Sequence, residues 1–561
     1  SPIFSQSHDF SCFATDRNGV LVSTADGIPI HTGGGGFAVR AILERHGSVG
    51  SEDGLSDGDV FLLNDPYTAG GNHLPDWVIA RPVFVDETLV AFCCNRAHQS
   101  DIGGGAAGTY NPEATEIYHE GLRLPPLRLI EAGRLREDLW DLLLLNSRTP
   151  ELLDGDLRAM LGSTAIGAGQ VADLVSDLAA AADGDEAEPG APGVDAALGA
   201  FDAVGDHAEA RFRARIGEMP DGTWHATEHW DDDCFGPADV TIRLALTIEG
   251  DEVTIDFTGT DDQIRGFKNS GWVNTWSAVS MGLVSYFEPD LPRNEGTFRG
   301  VTMVAPEGSV VNARPPAPMT MNTVIPAHEI VHLVWRCLSQ ADPERSLAGW
   351  GKNIFPVTAG RVTDEGGGEQ PFVMYHWSAA AGGGATGDRD GFNPIGHLIA
   401  LGGLTLSDVE TAEQTYPVRF RRQEFRVDGG GAGRFRGGTG VEYEIDVDAP
   451  ARWSFRGEGL GRPTGWGIAG GSAGAGGAMR LRPTDGGPDL EAPKYGLVSS
   501  GPTRLIASSP GGGGWGDPKT RDPELVARDV LDGVVSADAA RKLYGWEPPG
   551  MDPEVDPDVD A

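Results

Sequence analysis

A chain of 561 residues, 40 % of them hydrophobic, can build two to four domains or one large multi-lobed subunit. Its formal charge is −40, from 83 acidic and 43 basic residues, which argues against nucleic acid or acidic membrane surfaces as partners. No apolar run approaches the roughly 18 residues of a membrane span, and no signal-type segment opens the chain. Only five basic residues are Lys, at 268, 352, 494, 519 and 542. Acid excess with scarce Lys predicts a halophilic source, where salt screens the self-repulsion. The five cysteines are odd in number and form no C-x-x-C pair, so a disulfide framework is not expected and a reducing cytoplasm is.

Residues 9–31 read as a hairpin, with Asp16-Arg17-Asn18-Gly19 turning between two apolar runs. Cys12 is either a nucleophile or a buried structural thiol, and burial is the better reading. His31 precedes four glycines and is read as a cap on the next helix, 37–46, whose Val39, Ile42 and Leu43 share one face.

Residues 59–104 concentrate the chemistry. The runs Val60–Leu63 and Leu89–Phe92 predict buried strands. Each is followed by a polar cluster carrying His-x-x-Asp: His73 with Asp76, and His98 with Asp101. Loops beyond strand ends commonly present functional groups. Two imidazoles with two carboxylates suit a divalent ion of the zinc, manganese or iron(II) type. The bland alternative is a pair of turns in which Asp and His bond the backbone.

GDVFLLNDPYTAGGNHLPD at 58–76, NRAHQSDIGG at 95–104 and TEIYHEGLRLPP at 115–126 closely resemble the hydantoinase B / 5-oxoprolinase family, which includes subunits of acetone and acetophenone carboxylases. The resemblance implies that His73, Asp76 and His98 hold a catalytic divalent metal. It places Asp101 beside the metal as a proton carrier, and Asp9 as a further candidate. Glu116 and Arg123 match positions near the substrate, although a surface ion pair is the plainer reading of the two. Asn72 stands where the family usually has Thr. The family also implies a further N-terminal segment before Ser1.

Further along, 134–146 and 155–182 predict helices, 183–193 an acidic Pro/Gly linker, and 194–217 another helix. Alternation at 240–246 and 253–257 predicts antiparallel strands around a turn at 249–252. His225, His229 and Asp231–Asp233 are read as exposed strand and turn residues rather than a second metal cluster. Residues 272–288 predict a helix. His328-Glu329-x-x-His332, after Pro326, has the spacing of a zinc-protease helix but no third His. The Gly-rich 372–404 predicts a loop at the active site, with Tyr375, His376 and Trp377 shaping it. From 417 onward strands alternate with glycine turns. SSPGGGGWGDP at 508–518 resembles the family's terminal signature, and two short helices and a disordered tail follow. No glycine cluster fits a nucleotide-binding loop.

These readings predict an α+β, multi-lobed, β-rich subunit with antiparallel sheets and packing helices. Its expected domains are 1–182, 194–415 and 416–546, with a tail from 547 to 561. The resemblance implies the metal-dependent subunit of an ATP-dependent cyclic-amide hydrolase, opening a hydantoin, N-methylhydantoin or 5-oxoproline ring. It implies a hetero-oligomer with an A-type partner subunit that binds the ATP. The alternatives are a subunit of an ATP-dependent ketone carboxylase and a zinc protease at His328.

Overall fold

The computed structural model describes residues 1–547 apart from 6, 26, 48, 51–52, 184–192, 289, 364–365 and 401–407. Most of the expected linker and all but the first residue of the expected tail therefore lie outside the described residues. A short helix α1 (Pro2–Ser5) opens the chain. Strands β1 (Phe10–Asp16) and β2 (Leu21–Thr24) form the predicted hairpin, Phe13 opposite Thr24. Asp16 Oδ1 accepts from the amides of Asn18 and Val20, and Gly19 takes φ +80°, a conformation that only glycine adopts without strain.

A 3-10 segment (Pro29–Gly34) leads into α2 (Gly35–His46). Then come β3 (Val60–Leu63), β4 (Asp76–Val85), β5 (Thr88–His98), β6 (Leu127–Glu131) and β7 (Arg134–Leu135). They make a seven-stranded sheet in the order β2-β1-β5-β4-β3-β6-β7, antiparallel throughout. Strand β4 is absent from the sequence reading because it has no polar alternation: Asp76 to Ala80 are all buried. Alternate residues serve two cores. Val60, Leu62, Trp77 and Ile79 pack with Trp140, Leu143 and Leu157, whereas Phe61, Leu63, Val78 and Ala80 pack with Val39 and Ile42. Burial on both faces makes the register unforgiving, since a slip by one residue exchanges the two sets.

Helices α3 (Glu137–Leu145), α4 (Pro150–Asp183) and α5 (Gly193–Ile216) match the predicted helical stretches, with β7 taking the start of the first. Strands β8 (Gly222–Asp232), β9 (Pro237–Glu249), β10 (Glu252–Asp256) and β11 (Val301–Val304) form a second sheet. The β10–β11 pair is parallel. Helices α6 (Trp272–Phe287) and α7 (Ile325–Ala341) share the largest core with this sheet. Pro326 stands in the first turn of α7, where a missing N–H costs nothing.

Strand β12 (Val357–Thr363) precedes the stretch that reads as a glycine-rich loop, and β13 (Glu369–Tyr375) runs into its first residues. After α8 (Val409–Thr415) come β14 (Val418–Phe425), β15 (Val441–Val447), β16 (Ala451–Arg456), β17 (Ala478–Pro483), β18 (Leu490–Glu491), β19 (Tyr495–Ser500) and β20 (Thr503–Ser508), before α9 (Pro523–Leu531). Two sheets result, ordered β13-β12-β16-β19 and β14-β15-β20-β17-β18. The first takes strands from both sides of position 416. Gly438 shows why the loops here are glycine-rich: a Cβ on it would fall 1.8 Å from the carbonyl oxygen of Phe392. No helix among the described residues is long and apolar enough to cross a membrane.

Candidate metal centre

The β4–β5 ladder places Asp76, at the start of β4, directly opposite His98, at the end of β5. The 25-position spacing of the two histidines is thus a hairpin's register. His73 lies one turn before Asp76, and β1 runs beside β5 so that the His98 amide donates to the Asp9 carbonyl.

His73 Nε2 is 2.8 Å and His98 Nδ1 is 3.2 Å from Asp76 Oδ1. The protons on the far nitrogens are assigned by their partners. His73 Nδ1 donates to the Thr320 carbonyl at 2.7 Å. The Tyr375 hydroxyl gives its proton to the Gly108 carbonyl, so its oxygen accepts from His98 Nε2 at 3.4 Å. Both rings therefore turn a lone pair toward the same carboxylate oxygen. Three lone pairs converge only around a cation, a proton or a metal ion. Burial opposes charge on His73, yet the Asp76 carboxylate and the Thr320 carbonyl carry its pKa above the ordinary value. Burial also works to raise the Asp76 pKa, but His73 and His31 hold it well below the carboxylate range.

The residues fit a divalent ion. Their ligand atoms lie within 4.8 Å of one another, and all three side chains are buried. Asp76 Oδ2 meets only the His31 ring among the described residues, at 3.4 Å, which leaves a charged buried oxygen for a metal. Beside them is a cavity of about 20 Å³, lined also by Asp9, His31, Tyr110, Thr323, Trp377 and His397. Asp9 stands on this cavity, and burial raises its pKa against the pull of His98 and His31.

The supporting shell is long-range. Glu120, fully buried, accepts from the amides of Met319 and Thr320 and so fixes the carbonyl that orients His73. Asn72 accepts from Arg96 and donates to the Ile30 carbonyl, while Asn322 donates to its carbonyl. Asn64 donates to the Leu74 and Leu122 carbonyls and locks the His73 loop to the next.

Several expectations are corrected. Asp101 does not line the cavity; its carboxylate accepts from the amides of Gly103, Gly108 and Arg148 and pairs with the Arg148 guanidinium at 3.1 Å. Those donors occupy both oxygens, which makes it a loop clamp. His31 does not cap α2, whose N-cap is Gly34 with no side-chain bond. Instead Ser11 bonds His31 Nδ1, and His31 Nε2 lies 3.4 Å from Asp76 Oδ2. Its place in Ile28-Pro29-Ile30-His31, a polar ring closing an apolar run, was the available signal. Glu116 is exposed, and Arg123 pairs with Asp65 at 2.8 Å. Burial pushes the Cys12 thiol up, so it is not activated.

Tyr375 and Trp377 stand at the site, but His376 turns away to Thr358 and Tyr443. The His328–His332 motif is enclosed. Glu329 pairs with Lys352 at 2.5 Å, and the His332 ring is enclosed between the Trp350 amide, 3.0 Å from Nε2, and the Trp466 indole, 3.3 Å from Nδ1. Asp231, Asp232 and Glu458 do come together, but lysines supply the cation: Lys494 Nζ lies 2.5 Å from both aspartates and Lys268 Nζ lies 2.9 Å from Asp232.

A larger cavity of about 440 Å³ lies across the Pro29–Gly34 segment. Gly27, Pro29 and Gly33 face it, whereas Ile28, Ile30 and His31 face the metal cavity. Its walls are largely apolar, with Met281, Phe298, Trp335 and Phe392, and Arg293 and Arg389 are among its lining.

Comparison with known proteins follows this geometry. The family model described as Hydantoinase B/oxoprolinase matches residues 1–518. The caprolactamase subunit beta of Pseudomonas jessenii is 33 % identical over 561 residues, covering 97 % of this chain and 91 % of that one. The crystal structure of ATP-dependent caprolactamase from Pseudomonas jessenii matches with a TM-score of 0.86 at 32 % identity, over 98 % of this chain and 92 % of that one. Nucleotide-free acetone carboxylase shares the fold, with a TM-score of 0.80 at 20 % identity over 97 % and 76 % of the two chains.

Proposed function

The chain belongs to the Hydantoinase B/oxoprolinase family, and from that premise we propose that it is the metal-holding subunit of an ATP-dependent enzyme that opens a cyclic amide. The overall reaction consumes one lactam or hydantoin, two waters and one ATP, one water opening the ring and one leaving in the phosphate, and yields the ring-opened acid, ADP and phosphate. A ring amide is a stable acyl group with a poor leaving nitrogen, so coupling to ATP supplies the driving force. The ATP belongs to an A-type partner subunit, in keeping with glycine clusters here that fit neither the P-loop nor the dinucleotide-binding pattern.

The observation that carries this reading is the convergence of the His73 Nε2 and His98 Nδ1 lone pairs on Asp76, each set by a bond on the ring's other side. A zinc, manganese or iron(II) ion held there supplies Lewis acidity and activates water at neutral pH. Thr320 and Tyr375 keep both imidazoles in the ligating tautomer. Asp9, its pKa raised by burial, takes and returns a proton at the cavity edge. Tyr110 and Trp377 wall the cluster from bulk water.

A ketone carboxylase is the second reading, and the fold shared with acetone carboxylase favours keeping it. The test is product analysis of the chain co-expressed with an A-type partner, in high salt with ATP and a divalent metal. Lactams, hydantoins, 5-oxoproline and simple ketones are supplied, with and without bicarbonate. ATP-dependent ring opening without bicarbonate is expected, and bicarbonate-dependent acid formation from a ketone would replace the reading. The wild type is expected to hold metal that His73→Ala loses; retention of both metal and activity would refute the site.

A further inference from the structure

One buried polar group on the metal cavity has no use in the ligand set. His397 lines the cavity at 3 % exposure and lies far along the chain from every ligand. Its ring is held on two sides, by Phe355 at 4.4 Å between centroids and by Trp377 at 5.0 Å, both edge to face. Asn353 brings its amide nitrogen to 2.5 Å from Nδ1. An amide nitrogen only donates, so Nδ1 accepts and Nε2 carries the ring proton. That Nε2–H has no partner among the described residues. Leaving a buried donor unmade costs about 1–3 kcal/mol, a cost that a bound ligand with an acceptor oxygen would relieve.

The surroundings fix the charge of this ring. Burial, then the Arg456 guanidinium and His328, hold its pKa well below the ordinary value, so it works as a neutral donor. Arg456 is itself unusual. It is 2 % exposed and pairs with no carboxylate among the described residues, the Tyr110 phenol being its polar neighbour. Its guanidinium rests on the Tyr110 ring at 3.4 Å and the Phe355 ring at 4.3 Å. A buried positive charge without a counter-ion raises the potential in the adjoining cavity. It favours negative charge that develops on a bound ligand.

We propose that His397 is a further catalytic residue, whose Nε2–H donates to the carbonyl oxygen of the bound substrate and tightens as that oxygen gains negative charge. Asn353 is its positioning residue, holding the tautomer, and Arg456 supplies the field behind it. The contact is a hydrogen bond only; no proton leaves the ring. This deepens the cyclic-amide reading and rests on it.

The experiment uses the complex with its A-type partner and compares wild type, His397→Leu and His397→Gln. Leu keeps the bulk and removes the donor, whereas Gln keeps an N–H near the Nε2 position. Metal content is measured on all three, and kcat and KM on the lactam that the wild type turns over. The expected result is equal metal content, a kcat loss of about 10²–10³-fold for His397→Leu with KM little changed, and recovery of about tenfold or more in His397→Gln. A kcat within about threefold of wild type in His397→Leu overturns the inference, as does loss of metal from that variant. A wild-type complex that opens no cyclic amide fails differently: it overturns the proposed function, and this inference with it.

Discussion

His73 and Thr320 are joined across 247 positions by one hydrogen bond, from the imidazole Nδ1 to the backbone carbonyl at 2.7 Å. The bond decides which nitrogen of His73 faces Asp76, and the Tyr375 hydroxyl does the same for His98. Tyr375→Phe removes the acceptor on His98 and frees its tautomer. Metal affinity should fall about 10–100-fold, read by competition with a chelator. Unchanged affinity would show that packing alone orients the ring.

Glu120 anchors the Thr320 loop, and its carboxyl is pushed up to about 7 by burial, over the opposing bonds from the Met319 and Thr320 amides. An acid with a raised folded pKa keeps a proton that the unfolded chain has released. Its contribution to stability therefore falls as pH rises from about 4.5 to 7 and is level outside that window. Glu120→Gln should lack this slope and gain on wild type by on the order of 3 kcal/mol across it. Urea midpoints from pH 4 to 8 report the difference; parallel curves would rule the titration out.

Asp101 is a clamp on the loop after β5. Asp101→Asn replaces one accepting oxygen by a donor facing amide hydrogens. It should lower the unfolding free energy by about 1–3 kcal/mol while leaving the metal in place. A metal-replete, fully stable variant with kcat down a hundredfold would restore the proton-carrier role.

Three of the five lysines surround one buried carboxylate. Glu458 lies 3.3 Å from Lys268 and 3.4 Å from Lys494, and accepts from Tyr495 at 2.6 Å. Lys352 adds its charge, and together these groups hold the Glu458 carboxyl far below its ordinary range against burial. Glu458→Gln strands buried ammonium groups, with an expected loss of about 3–5 kcal/mol. A loss under about 1 kcal/mol in chemical denaturation would mean that Asp232 and Glu329 satisfy the lysines alone.

The charge of −40 predicts that salt stabilises the fold. Screening shortens from about 10 Å at 0.1 M to about 3 Å at 1 M. The thermal midpoint should rise steadily with KCl over that range and beyond. A midpoint indifferent to salt would remove the case for a halophilic surface.

Much of this protein was legible in the chain. The two His-x-x-Asp clusters stand after apolar runs, so His73, Asp76, His98 and Asp101 could be read as strand-end candidates without coordinates, and the family resemblance narrowed the ligands to the first three. Helical periodicity placed α2, α5 and α6 within a residue or two, because a helix is set by neighbours one turn away. Strand β4 was hidden because a strand buried on both faces loses the alternation that marks a strand.

Tertiary structure decided which polar residues serve the site. Asp101 has the same spacing from His98 as Asp76 has from His73, yet only Asp76 faces the cluster. The β4–β5 register puts it opposite His98, while amides of later loops capture Asp101. His31, Thr320, Tyr375 and His397 come from four distant segments. No local pattern encodes their meeting, because a side chain's partners are fixed by where sheets and loops pack. The sequence alone marked His73, Asp76 and His98 as candidate ligands, and β5, which ends on His98, as one of the strands that carry them. The fold assigned each ring its proton and set His397 and Arg456 beside the metal cavity, through contacts made only when distant segments close on one core.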